Sequence, residues 1–247
     1  MMKPGYPYRI LRWMSISNSK TEKGVQLVLQ GTVMIKYLGT VIDSGIFGKL
    51  KKTEYLRAFE ELSVIGRSMR EGDVIFHEGD EVNKVCIIDR GSVRGEKTYP
   101  GGELHIIQVY DEKSTFAIEA AVSVKKTAPM DYICNEDCTV IFIPLKSIDG
   151  SEFSRQIYEV LMQQLADDNI RKMNKIEILV EKGLRKRIML YFGVLSRKSG
   201  SDEFSVKMSR EQLAQYLGVN RSALSSELND MKREGIIDFE KERFRFL

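Results

Sequence analysis

Histidine, cysteine and tryptophan are scarce in this 247-residue chain, which contains 2 His, 3 Cys and 1 Trp. The cysteines, Cys86, Cys134 and Cys138, are odd in number and lack the spacing of a metal site, so they predict no disulfide framework. Cys134 and Cys138 flank a short polar turn and are either a redox pair or two buried small apolar side chains. The two histidines, His77 and His105, do not form a His-x-His motif, and we expect no metal centre.

Long apolar runs are also absent. No stretch approaches the ~20 apolar residues that a membrane-spanning helix needs. The first residues, Met1–Trp13, carry charges and prolines and lack the apolar segment of a signal peptide, so we expect a cytoplasmic protein. With 43% hydrophobic and 30% charged residues, the chain has the composition of a soluble globular protein of one or two domains.

Charge is unevenly distributed along the chain, although the net charge of +3 is small. From Arg171 to Leu247 there are 17 Lys and Arg against 11 Asp and Glu, a net of +6, which leaves the preceding part at −3. A basic C-terminal third beside an acidic N-terminal part is typical of a nucleic-acid-binding module attached to a second domain.

The pattern of apolar residues changes twice in the N-terminal half of the chain. We leave residues 1–45 unassigned, with short strands suggested over Val25–Leu29 and Val33–Leu38. Residues 46–147 begin with a helix from about Thr53 and continue as short apolar segments of period two, separated by Gly-rich turns. This pattern predicts a β-roll or jelly-roll; its strands are expected at Val74–Phe76, Val85–Ile88, Leu104–Tyr110, Tyr132–Cys134 and Thr139–Ile143.

A long helix is predicted over residues 148–182. Apolar positions recur in it at steps of four and three, which is the pattern of a coiled-coil seam. We therefore predict that this helix forms a homodimer interface, with Asn169 as the polar position that fixes the register. A helix packed on its own domain is the alternative. The predicted seam consists of Met162, Ala166, Asn169, Met173, Ile176 and Val180.

Residues 183–247 contain two short helices joined by a tight turn. Ser209 is followed three residues later by Gln212, the pattern of a capping box. Gly218 ends the first helix because glycine adopts a left-handed cap at little cost, and Asn220 caps the second. The apolar stripe that should hold the two helices together consists of Leu213, Ala214, Leu217, Leu224, Leu228 and Met231.

The outward face of the second helix carries small polar side chains and one arginine in its first turn. An arginine fork can bind guanine O6 and N7 together, and short side chains allow the backbone to approach the major groove. We therefore predict double-stranded DNA as a partner, with Arg221 reading a base and Ser209 and Arg210 meeting phosphates. The remaining candidates are Ser222, Ser225 and Ser226. After this helix, Ile236–Phe246 alternates around a polar turn and predicts a β-hairpin wing.

The order of roll, long helix, helix-turn-helix and wing resembles the Crp/Fnr family of bacterial transcription regulators. The resemblance covers about Ile46 to Leu247 and is carried by Arg70–Asp80, Val85–Val93, Leu213–Ser222 and Lys232–Ile237. It implies an α+β fold, with an N-terminal cyclic-nucleotide-binding-like β-roll, a dimerisation helix and a C-terminal winged helix-turn-helix. It also implies a palindromic operator, a contact with RNA polymerase and a small-molecule effector.

The effector expected from the resemblance is not cyclic AMP. The resemblance places effector-binding residues at Ile118, Glu119 and Met173. Members that bind cyclic AMP have Gly where this chain has Ile118, and an Arg near the position of Ala128 or Pro129. Without that arginine a buried cyclic phosphate lacks its partner. An iron–sulfur cluster is also disfavoured, because no cysteine precedes Cys86.

Two alternatives to an effector-responsive regulator stay open. One is a metal-dependent enzyme of cupin type built on the roll, which the scarcity of histidine disfavours. The other is a regulator whose roll has lost its ligand.

Overall fold

Eight strands between Ile65 and Pro144 pair into two antiparallel sheets in the computed structural model, which describes residues 36–247. They are β1 (Ile65–Met69), β2 (Val74–Phe76), β3 (Lys84–Arg90), β4 (Val93–Thr98), β5 (Leu104–Tyr110), β6 (Thr115–Phe116), β7 (Asp131–Cys134) and β8 (Cys138–Pro144). One sheet has the order β1-β8-β3-β6 and the other β2-β7-β4-β5. The predicted β-roll is confirmed. Sequence reasoning missed β1, β4 and β6, because β1 and β4 are rich in polar residues and Gly and β6 has only two residues.

Two Gly-Asp turns enclose β2 and have the same construction. Gly72 and Gly79 have φ of 84° and 90°, in the left-handed region that glycine adopts at little cost. In each turn the following aspartate closes the loop: the amide of Arg70 donates to Asp73 Oδ2 and that of His77 donates to Asp80 Oδ2, both at 2.8 Å. These paired turns fix the path of the chain along one end of the roll.

Residues 36–43 form helix α1, which packs on the roll. The strand suggested over Val33–Leu38 is wrong for the described residues 36–38, and the one suggested over Val25–Leu29 lies outside the described residues. Tyr37 and Val41, one helical turn apart, are buried in the core of the roll. A Cβ on Gly66 would lie 2.2 Å from the Tyr37 ring, so only glycine allows this contact. The core of the roll therefore begins before residue 46, the predicted start of the domain.

The remaining helices of the first unit are short. A 3₁₀ turn at Lys52–Glu54 leads into α2 (Tyr55–Glu61), which confirms the helix predicted from about Thr53. Helices α3 (Ile118–Val122) and α4 (Leu145–Asp149) follow β6 and β8.

Helix α5 (Ser154–Val180) is the long helix. It begins later than the predicted residue 148, because a turn after α4 separates the two helices: Ser151 Oγ accepts from the amide of Phe153 at 3.1 Å and donates to Glu61 Oε2 at 2.5 Å. The inner face of α5 is buried on the protein, and all six residues of the predicted seam lie on its exposed outer face. No helix among residues 36–247 is long and apolar enough to cross a membrane.

A second core holds the C-terminal unit, which we call the head (residues 184–247). The head contains α6 (Leu184–Ser199), β9 (Glu203–Ser205), α7 (Arg210–Leu217), α8 (Arg221–Arg233), β10 (Ile237–Glu240) and β11 (Arg243–Phe246). The strands pair in the order β10-β11-β9, which confirms the predicted wing. The Phe192 ring packs on those of Phe204 and Phe244, with centroids 5.2 and 4.7 Å away.

Candidate nucleic-acid interface and sensing sites

Helices α7 and α8 form a helix-turn-helix whose ends are capped as predicted. Ser209 Oγ accepts from the amide of Gln212 at 3.2 Å, and Gln212 Oε1 accepts from the amide of Ser209 at 2.9 Å. Gly218 caps α7 at φ 65°, and Asn220 Oδ1 accepts from the amide of Ala223 at 2.8 Å. The predicted apolar stripe is fully buried. These caps fix the start of α8 relative to α7, so the first turn of α8 has a defined position.

The outward face of α8 is open to solvent. Arg221, Ser222 and Ser226 are exposed and Ser225 is half-buried. Ser222 Oγ donates to Asn220 Oδ1 at 3.0 Å and so supports the cap as well. Within residues 36–247, Arg221 has no carboxylate within ion-pair distance. Its guanidinium is therefore available to an external partner at the N-terminal end of the helix, where base-reading side chains are found in helix-turn-helix proteins.

Arg210 is the first residue of α7, as predicted, and its side chain packs on the wing. Its guanidinium stacks over the rings of Phe239 and Phe244, 4.9 and 4.8 Å from their centroids, and it donates to the carbonyl of Lys241 at 3.4 Å. Burial lowers the pKa of Arg210 from its ordinary value. These contacts hold the wing on α7, and the phosphate contact of Arg210 stays a prediction. Ser209 is exposed, but its side chain is occupied by the cap.

A bidentate ion pair anchors α8 to α6. Arg185 Nη1 and Nη2 donate to the two carboxylate oxygens of Glu234 at 2.5 and 2.9 Å, and its Nε donates to Glu227 at 2.6 Å. The paired guanidinium lowers the pKa of Glu234. Such a fork adds directional specificity as well as attraction, so it sets the orientation of α8 on α6.

Polar side chains join the head to the rest of the chain. Gln212 Nε2 donates to Asn135 Oδ1, in the turn between β7 and β8, at 2.6 Å. Lys175 on α5 donates to the carbonyl of Tyr216. Within the head, Arg187 donates to the carbonyl of Leu217 at 3.1 Å. The last two satisfy carbonyl groups that the C-terminus of α7 leaves unpaired. Sequence reasoning missed this interface, which couples the DNA-binding helices to both the roll and the long helix.

Lys175 is the most strongly perturbed basic group in this interface. Its residue surface is 8% exposed, and its amine also lies over the Tyr216 ring. Burial lowers the pKa of Lys175 to about 6, whereas an unfolded chain holds a lysine near ~10.4. Between these values the unfolded chain binds the proton that the folded chain has lost, so stability must rise with pH.

Replacing Lys175 by methionine is therefore expected to flatten the pH dependence of stability. From pH 6.5 to 8, the free energy of unfolding of the wild-type protein should gain about 2 kcal/mol from this group, at ~1.4 kcal/mol per pH unit. Urea denaturation of both proteins across that range measures the effect. Asp111, Arg171, Lys198, Lys207, Tyr191 and Tyr216 surround Lys175 and are common to both proteins, so the difference isolates Lys175. Parallel curves would show that the amine stays charged.

The three candidate effector residues do not form one site. Ile118 is fully buried in the core of the roll, and Met173 is 62% exposed on the outer face of α5. Only Glu119 lies at a cleft: it accepts from Tyr132 Oη at 3.2 Å and from Lys172 Nζ at 3.1 Å, while its Oε2 is buried without a partner. Within one chain the structure does not bring Ile118 and Met173 to the Glu119 cleft, and their effector roles stay predictions. Period and spacing do not reveal which way these side chains point.

The cleft beside Glu119 has a volume of about 530 Å³. Its basic residues are Lys97 and Lys125, and no arginine lines it among the described residues. Lys97 is already held by Glu78 at 2.9 Å and by the carbonyl of Pro129 at 3.2 Å. Ala128 is buried. The cleft thus lacks the guanidinium fork that a cyclic phosphate would require.

The cysteines and histidines suggest no metal site. Cys134 and Cys138 are free and buried, with their Sγ atoms 2.8 Å apart. Their burial restricts access by oxidants, whereas the short Sγ–Sγ distance brings the two thiols within reach of a disulfide, so both roles stay open. His77 lies 3.6 Å from Asp131 and His105 lies 3.9 Å from Glu103. Within residues 36–247, no group of three potential metal ligands converges.

Known proteins share both units. A family model described as a cyclic nucleotide-binding domain matches residues 66–150, and one described as a Crp-like helix-turn-helix domain matches residues 186–247. The chain is 22% identical over 200 residues to the transcriptional activator protein FnrA of Stutzerimonas stutzeri, covering 77% of this chain and 80% of that protein. It is 21% identical over 179 residues to the global nitrogen regulator of Synechococcus elongatus, covering 70% and 81%.

Solved structures agree on the fold. FixK2 from Bradyrhizobium japonicum is 18% identical, with a TM-score of 0.65 over 75% of this chain and 93% of that one. A CooA mutant from Carboxydothermus hydrogenoformans is 16% identical, with a TM-score of 0.65 over 82% and 89%. Roll, long helix and helix-turn-helix occur together in these matches, so the three parts form one established architecture.

Proposed function

The chain belongs to the Crp/Fnr family of transcription regulators, and we propose that it acts as a homodimer that binds a palindromic DNA operator under the control of a small molecule. The observation that carries the proposal is the open face of α8, with Arg221 unpaired in its first turn among the described residues and the wing beside it. The family's function in transcription further supports a cytoplasmic location, a contact with RNA polymerase and the absence of a catalytic role.

The proposed dimer rests on the outer face of α5. Water-exposed methionine, isoleucine and valine side chains line up there at the spacing of a coiled-coil seam. Met162, Met173, Ile176 and Val180 are 68%, 62%, 60% and 73% exposed. A contiguous apolar stripe of this kind is typical of an interaction surface. A two-fold partner helix would cover it and leave both α8 helices free for one duplex.

Selection from a pool of random duplexes tests the proposal. A two-fold dimer should enrich sequences with two inverted half-sites, about 34 Å or 10 base pairs between centres. A single head has one base-reading helix and would select a single half-site. Two inverted half-sites in the enriched sequence therefore indicate a dimer, whatever the affinity. Enrichment of a single asymmetric site would contradict the dimeric arrangement, and no enrichment would contradict specific DNA binding.

Cyclic AMP is not expected to be the effector. A cyclic phosphate needs a guanidinium partner, whereas Ala128 is buried at the expected position and Lys97 is engaged by Glu78. Titration calorimetry with cyclic AMP at micromolar concentrations should show no saturable heat. Cyclic GMP is the control for a general nucleotide effect. Saturable binding accompanied by a change in operator affinity would contradict this expectation and indicate Lys125 or Lys126 as substitute cations.

A further inference from the structure

A cavity lies between the roll and the head, on the side of α5 that faces the DNA-binding helices. Its volume is about 450 Å³, within the range of roughly 300–1,000 Å³ that small-molecule sites occupy. Strand β5, helices α5 and α6, and the segment from β9 to α7 line it. It shares no lining residue with the cleft beside Glu119, so the two are separate sites.

The walls of this cavity are apolar and largely aromatic. Side chains from three helices and two strands converge, and the Tyr191 and Tyr216 rings lie 5.0 Å apart. Flat rings provide a large contact area with few rotatable bonds. The apolar wall therefore suits a ligand with a flat, unsaturated body; it comprises Ile107, Val109, Ile178, Tyr191, Leu195, Phe204 and Tyr216.

Positive charge exceeds negative charge around the cavity. Of its five basic residues, Arg171 pairs with Asp168, Lys172 pairs with Glu119, and the other three are Lys175, Lys198 and Lys207. Lys198 and Lys207 share one carboxylate, that of Asp111, each at 3.5 Å. Among residues 36–247, Lys175 has no carboxylate within ion-pair distance. Because burial leaves Lys175 largely neutral at pH 7, four cations face three carboxylates, and one negative charge is missing.

Gln108 has a side-chain oxygen that accepts no hydrogen bond. This β5 residue is only 9% exposed and lines the cavity. Its Nε2 donates to Asp168 Oδ1 at 3.3 Å, while its Oε1 is buried without a partner. Because a carboxylate only accepts, Asp168 fixes which end of the amide is left over. A buried acceptor left unpaired costs about 1–3 kcal/mol, which a ligand N–H or O–H group would recover once it displaces the atoms that cover Oε1.

We propose that this cavity binds a small organic anion with a flat apolar body and an N–H or O–H donor, and that the bound anion fixes the head against α5. The anion would neutralise the excess charge at Lys198 and Lys207, and its donor would pair Gln108 Oε1. An anion beside Lys175 would also favour the protonated amine and strengthen its bond to the carbonyl of Tyr216. The regulatory part of this inference rests on the proposed DNA-binding function, whereas the site itself does not.

Two fluorescent probes that share one aromatic ring system but differ in charge test the site. The sulfonate probe 8-anilinonaphthalene-1-sulfonate has the anion, the aromatic body and an N–H group; N-phenyl-1-naphthylamine has the same body and N–H group without the charge. The full chain should bind the sulfonate at one molecule per chain, and about tenfold more tightly than the neutral analogue. Equal affinity of the two probes would overturn the proposed anion recognition.

Variants locate the bound probe. Lys175→Met, and the double variant Lys198→Gln with Lys207→Gln, should each weaken the sulfonate about tenfold and leave the neutral probe unchanged. Lys198→Arg with Lys207→Arg should restore binding. Val124→Ser alters the roll cleft instead and should have no effect. Loss of sulfonate binding in Val124→Ser, with none in the lysine variants, would place the anion in the cleft and overturn the proposal.

Operator titrations at increasing sulfonate concentration test the regulatory part. The affinity for the selected operator should change at least about threefold once the cavity is filled, and this change should vanish in Lys175→Met. An unchanged affinity at saturation would overturn the coupling, although not the site. Failure to bind any operator, with the probe as well as without it, would instead contradict the proposed function, so the two failures are distinguishable.

Discussion

Replacing Met173 and Ile176 together by glutamate is expected to split the proposed dimer into monomers and to weaken operator binding at least about 100-fold. Both side chains lie on the exposed outer face of α5 and touch no core, so the head and the roll should fold as before. Four carboxylates would meet across the two-fold axis of the seam, where water is excluded. A monomer then engages one half-site at a time and loses the effective concentration that linkage provides.

Sedimentation velocity and a fluorescence binding titration measure the two effects on the same protein. Arg155→Glu is the matched control, since it changes the net charge by the same two units on the same helix. Its side chain is 89% exposed and, among residues 36–247, pairs only with Glu159, one turn further along α5 and outside the seam. A double variant that still sediments as a dimer with wild-type affinity would show that the seam is misplaced.

The parts of the fold that the sequence predicted are those set by local rules. The capping box at Ser209, the left-handed Gly218 and the cap at Asn220 each depend on a few neighbouring residues, and all are confirmed. The two Gly-Asp turns around β2 are likewise local. Strand β4 escaped prediction because its apolar periodicity is interrupted by Arg94, Glu96 and Lys97. Arg94 pairs with Glu96 within the strand, and Lys97 pairs with the distant Glu78.

The contacts that couple the units follow no local pattern. Lys175 is a charged residue on the buried inner face of α5, and only the fold brings it under the C-terminus of α7. Arg210 satisfies every sequence criterion for a phosphate contact, yet the wing folds back and places two aromatic rings beneath it. Gln108 is an ordinary polar residue within a strand until α5 covers it. For all three residues, tertiary packing and not the local sequence determines what the side chain contacts.

Arg221→Ala is expected to cost about 1–3 kcal/mol per half-site and to relax the preference for one guanine. The side chain starts at the first residue of α8, directly after the Asn220 cap, and is exposed. Over two half-sites the loss amounts to roughly 30-fold to 10⁴-fold in operator affinity. Titration of the selected operator, and of operators mutated at each guanine, gives both quantities.

Two controls separate base reading from charge. Arg221→Lys keeps the charge but not the planar fork, so it should retain the salt dependence of binding and still lose the guanine preference. Arg243→Ala removes an exposed wing cation and should weaken all duplexes alike, with a salt slope shallower by about one unit for each phosphate that is no longer neutralised. Arg210→Ala is unsuitable here, since it would loosen the wing.

If Arg221→Ala instead weakens operator and random DNA equally, while the guanine preference survives, then Arg221 is a phosphate anchor. Base readout would then pass to Ser222, Ser225 and Ser226, whose short side chains require α8 to lie deeper in the groove.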